Sequence, residues 1–258
     1  MTTAGEFLGA TAEEDGTWRF RFARELHGAF GGAFGGVVAA AAVMAARPLA
    51  EGRVPAALDI RFLRSLPAGT ATAAASLLHG GRTLSCVSVD LCQEDGRLAA
   101  RATISLVNAE AVHPVSRDGP RRPLPTYEEG RGWPAVGAPI IETLAPRTVP
   151  WPEEGMATAI RVPWKLDDGD TSAEAACLPG DLCVGPPVAF GLAGEQLAHP
   201  NPDLSMRFAG PVESPEVIGV GRMMRVHFGL ATVAIEVWSA GRLAAVGVST
   251  STLLALPQ

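Results

Sequence analysis

Three side chains in this sequence could do chemistry on a bound molecule: Asp203, His27 and Ser249. Asp203 follows Asn201-Pro202 and opens the apolar run Leu204–Phe208. A carboxylate there can take a proton from a water or substrate within hydrogen-bond reach. It can equally be a strand-start residue satisfied by backbone N–H groups. His27, in Leu26-His27-Gly28-Ala29-Phe30, precedes an apolar helix and can act as base or donor, or be an ordinary loop histidine. Ser249, in Val248-Ser249-Thr250-Ser251-Thr252, can hold a water or simply face solvent from a strand. Phe34-Gly35-Gly36 opens the helix itself. Free N–H groups at a helix start carry partial positive charge, and glycines let a carbonyl approach them. Gly35 and Gly36 are therefore candidate oxyanion donors beside Phe34, although the same glycines could serve only to let a sheet pass close. Asp59, the counterpart of Ser205 in the repeat described below, is a further polar candidate for the binding site.

Other chemistries are excluded by what the sequence lacks. It contains no G-x-S-x-G, no H-E-x-x-H and no G-x-G-x-x-G after a strand, which argues against an α/β-hydrolase, a zincin and a dinucleotide enzyme. Lys165 is the only lysine, and Trp164-Lys165-Leu166-Asp167 fits neither a P-loop nor a Schiff-base site. Cys86, Cys92, Cys177 and Cys183 form no C-x-x-C, so no metal site is expected, and they read as buried small residues. A net charge of −6 argues against nucleic-acid binding through a basic patch. With 47% hydrophobic and 19% charged residues, the 258-residue chain is too apolar to be disordered. The start Met1-Thr2-Thr3-Ala4-Gly5-Glu6 lacks the pattern of a signal peptide, and reduced thiols in the cytoplasm are the expectation. Residues Ala29–Ala46 are uncharged, but the glycines among them make the run only weakly hydrophobic. It is expected as a buried helix of a soluble fold, with no membrane partner.

The elements that must position these residues come in two copies. Leu58-Asp59-Ile60-Arg61-Phe62 recurs as Leu204-Ser205-Met206-Arg207-Phe208, and Gly96-Arg97-Leu98-Ala99-Ala100 recurs as Gly241-Arg242-Leu243-Ala244-Ala245. Between these markers Val87, Val89 and Leu91 alternate with polar residues, as Val233, Ile235 and Val237 do at the same offset. Such alternation marks a strand with one buried face. Each unit is expected to begin with an apolar helix, Phe34 to Ala46 and roughly Pro186 to Leu197. An extended segment follows, Ala57–Leu66 and Asp203–Pro211, and then a run of hairpins with turns at Gln93–Gly96 and Ser239–Gly241. The first helix has no polar face over Val37–Ala46, so it must be buried all round. A long curved antiparallel sheet wrapped around a central helix satisfies this. The expected organisation is an N-terminal unit over 1–112, a Pro/Arg-rich surface linker over 113–149 and a C-terminal unit over 150–258.

Tandem units opening with Phe34-Gly35-Gly36-Val37-Val38 resemble a double hotdog, an α+β fold. Within it the chain is similar to the acyl-CoA thioesterase II (TesB-like) family. The resemblance runs through Phe62-Leu63-Arg64, Gly80–Ser85 and Asp95–Leu98, then Pro202–Phe208, Glu236-Val237-Trp238 and Gly241-Arg242-Leu243. It implies hydrolysis of an acyl-CoA or carrier-bound acyl thioester by a water held by an Asp, a hydroxyl residue and a Gln. No cofactor is implied, coenzyme A being part of the substrate. On this resemblance the Asp is Asp203, the hydroxyl position falls on Met224 and the Gln position on Ser249. Arg61, Arg82 and Arg207 are candidates for phosphate contacts or for ordinary salt bridges.

Because two of those three positions differ, a second reading stands beside hydrolysis. It is a non-hydrolytic enzyme of the same fold, a dehydratase, hydratase or cyclase of an acyl intermediate. A non-catalytic acyl-binding protein is the third reading. The expected partner is a small-molecule acyl thioester, and a homo-oligomer is compatible with the fold.

Overall fold

The computed structural model describes residues 2–115, 117, 119, 121–134, 137–166, 171–195 and 197–256. In chain order its elements begin with α1 (Ala4–Leu8), β1 (Ala10–Ala12), β2 (Trp18–Phe22), α2 (Gly35–Ala46) and β3 (Val54–Phe62). β4 (Gly69–Gly80), β5 (Leu84–Gln93) and β6 (Leu98–Val107) complete the first unit. After it come β7 (Arg131–Gly132), α3 (Pro139–Leu144) and β8 (Arg147–Val149). The second unit holds β9 (Met156–Arg161), α4 (Ser172–Leu182), α5 (Gly185–Gly191), β10 (Leu197–Ala198) and β11 (Asp203–Phe208). β12 (Glu216–His227), β13 (Leu230–Ser239), β14 (Arg242–Thr252) and β15 (Leu254–Ala255) end the chain.

The repeat in the sequence is a repeat in the fold. The first unit orders its strands β2-β4-β5-β6-β3 and the second β9-β12-β13-β14-β11, and the central pair β3 and β11 joins them into one 13-stranded sheet. The repeated markers pair with each other in antiparallel register, Leu58 opposite Met206 and Asp59 opposite Ser205. Both expected turns form, with Gly96 at φ 82° and Gly241 at φ 77°, conformations that glycine adopts without a Cβ clash. The fold is the expected tandem hotdog.

α2 is buried from Gly36 to Ala46 except for Met44. One side packs on β3, β4, β5 and β6, and the other on α4, so the two central helices touch inside the curved sheet. The sequence placed the second helix at about Pro186 to Leu197, whereas two helices occupy that region. α5 covers Gly185–Gly191, and the longer, wholly buried α4 lies ahead of it. α4 escaped notice because Glu174, Pro179-Gly180 and Asp181 interrupt its apolar pattern, and Pro-Gly reads as a turn. No helix among the described residues is long and apolar enough to cross a membrane.

The segment between the units does more than run over the surface. Ile140 and Leu144 of α3 are buried in the main core, four residues apart on one helical face. Tyr127 and Val149 join Ile218, Val220 and Trp238 in a second small core. Val217 belongs to the main core and its neighbour Ile218 to the second one, so this small core lies on the sheet face turned away from α4. The segment thus crosses the outside of the second unit's sheet. β7 and β8 then extend that sheet beyond β9.

Candidate functional site

A cavity of about 910 Å³ opens between the two units. The loop before α2, the α2 N-terminus, the ends of β3 and α4, and residues 197–202 all contribute to its walls. Its lining is mostly apolar, including Phe30, Phe34, Val38, Phe62, Trp133 and Ile140. The charged or titratable side chains on it are Asp181, His199 and Arg64.

Asp181 is the group around which the polar geometry closes. It stands in the last turn of α4 and is 5% exposed. Its Oδ2 accepts the Gly36 N–H of α2 at 2.8 Å, and its Oδ1 accepts from Asn201 Nδ2 at 2.5 Å. Burial pushes its pKa up from 3.8 to about 6, while the hydrogen bonds from Asn201 and Gly36 pull the other way. A carboxylate offers about four lone-pair sites, so further donors can still be accepted from the cavity side.

The glycines at the start of α2 make this approach possible. A Cβ on Gly35 would stand 2.8 Å from Asp181 Oδ2, and one on Gly36 would stand 2.8 Å from the Cys177 carbonyl oxygen. What they admit is therefore the second central helix and its carboxylate. Helix geometry leaves the first N–H groups without partners inside the helix. Here Phe34 N–H bonds the Leu26 carbonyl, Gly36 N–H bonds Asp181, and Val37 N–H closes a turn onto the Phe34 carbonyl. Gly35, which lines the cavity, is the remaining first-turn donor. Of the two expected oxyanion donors, Gly36 is engaged by the carboxylate.

The structure does not bring Asp203 to the cavity. Its carboxylate accepts from Thr250 N at 2.8 Å and Thr250 Oγ1 at 3.2 Å, and pairs with Arg61 at 2.9 Å. Asp59 pairs with Arg207 at 3.2 Å on the neighbouring register position, so Arg61 and Arg207 are in strand-to-strand ion pairs. The alternation of β3 and β11 puts these groups on the face opposite Leu58, Ile60, Leu204 and Met206, which are fully buried. Ser249 is 1% exposed and donates its hydroxyl to the Asp203 carbonyl at 2.6 Å. His27 is 9% exposed, its neighbour Gly28 lines the cavity, and its Nε2 has no hydrogen-bond partner among the described residues. Phe34 and Gly35 line the cavity. Met224 is half exposed on β12.

Sequence reasoning missed Asp181, Asn201 and His199. The signal for Asp181 was present: Glu174 and Asp181 stand seven residues apart in an otherwise small and apolar run. Seven residues is two helical turns, so both carboxylates lie on one face. Glu174, 1% exposed, is held by Arg47 at the other end of α2 through two bonds of 2.6 and 2.8 Å. Carboxylates buried this deeply occur almost solely with partners. His199 lines the cavity with its ring edge-on to Phe30, 6.2 Å between centroids, and burial lowers its pKa. Burial also raises the Cys177 and Cys183 thiols well above their ordinary range, which leaves them inert near neutral pH. Among the described residues no three His, Cys, Asp or Glu side chains are grouped to hold a metal ion.

The long antiparallel sheet joined at β3 and β11, with two central helices meeting inside it, defines a double hotdog protein. Solved structures share that fold over their whole length. A tesB protein from Mycobacterium avium subspecies paratuberculosis superposes with TM-score 0.76 and 18% identity, over 98% of this chain and 99% of that one. The acyl-CoA thioesterase II TesB2 of Mycobacterium marinum gives 0.79 and 17%, over 98% and 99%. A hot dog protein from Alicyclobacillus acidocaldarius gives 0.78 and 18%, over the whole of both chains. Residues 23–107 match the family model of the acyl-CoA thioesterase N-terminal domain. Residues 23–107 are thus similar to an acyl-CoA thioesterase N-terminal domain, within a chain that has the double hotdog fold. None of the curated proteins matches it in sequence.

Proposed function

We propose that this protein hydrolyses an acyl-CoA, or a similar carrier-bound acyl thioester, with Asp181 as the base that orients and deprotonates the attacking water. The observation carrying this reading is the buried Asp181 carboxylate on the cavity wall, held by Gly36 and Asn201 at the start of α2. A base is most effective when its pKa lies near the working pH, and burial has moved this one to about 6.

The chemistry follows from that placement. Asp181 takes a proton from the water as its oxygen bonds to the thioester carbon and the carbonyl pair moves onto oxygen. The Gly35 N–H, beside the carboxylate at the positive end of α2, supplies a donor for the oxyanion. The carbonyl re-forms, the C–S bond breaks, and the thiolate recovers a proton from Asp181. The apolar walls accept the acyl group. Arg64, exposed on the cavity lining, is suited to the phosphates of coenzyme A.

A second reading has one observation in its favour. His199 shares the cavity with Asp181 and is biased towards the neutral form, as an acid–base pair in a hydratase or dehydratase would need. Free-thiol release from a panel of acyl-CoAs separates the two. Hydrolysis by the wild type that falls by about 10²-fold or more in Asp181→Asn, but stays within a few-fold in Asp203→Asn, is the expected result. Full turnover by Asp181→Asn would overturn the mechanism. No thiol release by the folded wild type would favour the second reading, which hydration of enoyl-CoA substrates then tests.

A further inference from the structure

The hydrolytic reading leaves open which acyl group is accepted, and the segment between the units bears on it. It contributes Trp133, Pro134, Ala138, Ile140, Ile141 and Thr148 to the cavity wall. Trp133 is the one large aromatic among them. Its position is fixed three ways: its indole N–H donates to Thr148 Oγ1 at 3.1 Å, its backbone N–H bonds the Pro146 carbonyl at 3.1 Å, and its ring packs against the main core.

The segment is anchored on both sides of that residue. Before it, Tyr127 is buried, donates its hydroxyl to the Ala145 carbonyl at 2.6 Å, and lies under Arg147 and Arg161 at 4.5 and 4.3 Å. After it, Ile140 and Leu144 sit in the main core, and the Ile140 N–H bonds the His27 carbonyl at 2.9 Å. A wall held in this way does not yield to a long chain as a free loop would.

We propose that Trp133 is a specificity-determining residue of this cavity, limiting the length or bulk of the acyl group that can lie against it. The proposal rests on the acyl-thioester reading of the site. Selectivity would then be set by the connection between the units, while the central helices carry the chemistry. Removing an indole opens space for several methylenes. Each methylene accommodated in an apolar pocket alters discrimination by roughly 10- to 200-fold at most.

The test compares the wild type, Trp133→Ala, Trp133→Phe and Thr148→Val on saturated acyl-CoAs from four to sixteen carbons. The expected result is a rise of about tenfold or more in the ratio of kcat/KM for long over short chains in Trp133→Ala. Trp133→Phe and Thr148→Val, which shrink the ring and release it, should move the ratio the same way by less. If Trp133→Ala does not fold, those two variants decide. An unchanged ratio in folded variants overturns the proposal. Affinities for non-hydrolysable S-alkyl-CoA thioethers of the same lengths keep this outcome separate from failure of the hydrolytic reading. A chain-length shift in thioether binding without any hydrolysis would sustain the role of Trp133 and reject hydrolysis. No shift in thioether binding, or no binding, would reject the role itself.

Discussion

The Asp181 carboxylate accepts the Gly36 N–H at 2.8 Å, and the two residues belong to different hotdog units. One unit supplies the charge and the other supplies the helix start that receives it. An anion at a helix N-terminus is stabilised by free N–H groups and by the macrodipole. Even so, burial dominates, and the carboxyl titrates near 6. The joint between the units therefore holds the most chemically distinctive group of the molecule.

That titration has opposite consequences for activity and stability. Activity that needs the ionised carboxylate should rise with pH through an inflection near 6 in kcat/KM, and the inflection should vanish with Asp181→Asn. Stability runs the other way. The folded-state pKa lies above the unfolded value of 3.8, so the native state binds more protons between about 4 and 6. This group's contribution is complete below that window and is lost as pH rises through it, by an amount of order 3 kcal/mol. Denaturant melts should show Asp181→Asn at least as stable as the wild type at pH 8. An Asn variant clearly less stable there would mean the charge is better solvated than its burial implies.

Gly35 and Gly36 should respond differently to an added methyl. A Cβ at Gly35 meets chiefly the Asp181 carboxyl, with Oδ2 at 2.8 Å and Oδ1 at 3.0 Å. Gly35→Ala should push the carboxylate aside and lower kcat about tenfold or more with a modest change in Tm. A Cβ at Gly36 meets the Phe34 ring at 2.7 Å and also backbone that cannot turn away, the Cys177 oxygen at 2.8 Å and Leu178 Cα at 3.0 Å. Gly36→Ala should cost about 1–3 kcal/mol of stability by overpacking the helix pair. Equal melting temperatures for the two variants would contradict this division.

How much of this was readable beforehand follows from the physics of each element. The central strand of each unit was legible because Val87, Val89 and Leu91, and later Val233, Ile235 and Val237, alternate with period two. α2 was legible because an all-apolar run has only one place to go. α4 was not, since its burial depends on partners far away in sequence: Arg47 for Glu174, and Gly36 with Asn201 for Asp181. The same non-locality separates Asp203 from the cavity. Asp203 precedes an apolar strand, but its alternation places it with Arg61 on the outer face. The segment at 113–149 is rich in Pro, Gly and Arg, which masks the apolar residues that anchor it.

Arg64 offers a test of how the carrier is held. It is exposed, lines the cavity and donates Nη1 to the Leu98 carbonyl at 2.7 Å, which leaves other guanidinium donors free for an anion. Arg64→Ala should raise KM for an acyl-CoA by about three- to tenfold with kcat little changed. The matching acyl-N-acetylcysteamine, which has no phosphate, should show no such rise. Added salt should weaken the wild type's advantage, because an exposed contact is screened. An equal effect on both substrates would assign Arg64 to shaping the loop after β3.

The far end of the helix pair gives the last prediction. α2 and α4 run antiparallel, so Gly36 meets Asp181 at one end while Arg47 meets Glu174 at the other. Glu174 is 1% exposed and bonded twice by a guanidinium whose side chain is 27% exposed. Removing one member of such a pair leaves a buried charge without its partner, at a cost of about 3–5 kcal/mol. Arg47→Met should therefore destabilise the chain by about that amount, and Glu174→Gln by less, since the amide can still accept from Arg47. The double variant Arg47→Met with Glu174→Leu removes both charges and should recover much of the loss. Denaturant melts of the three variants measure this directly. If the double variant were as unstable as the sum of the two charge deletions, the pair would hold the helices through packing of the Arg47 stem instead of through charge.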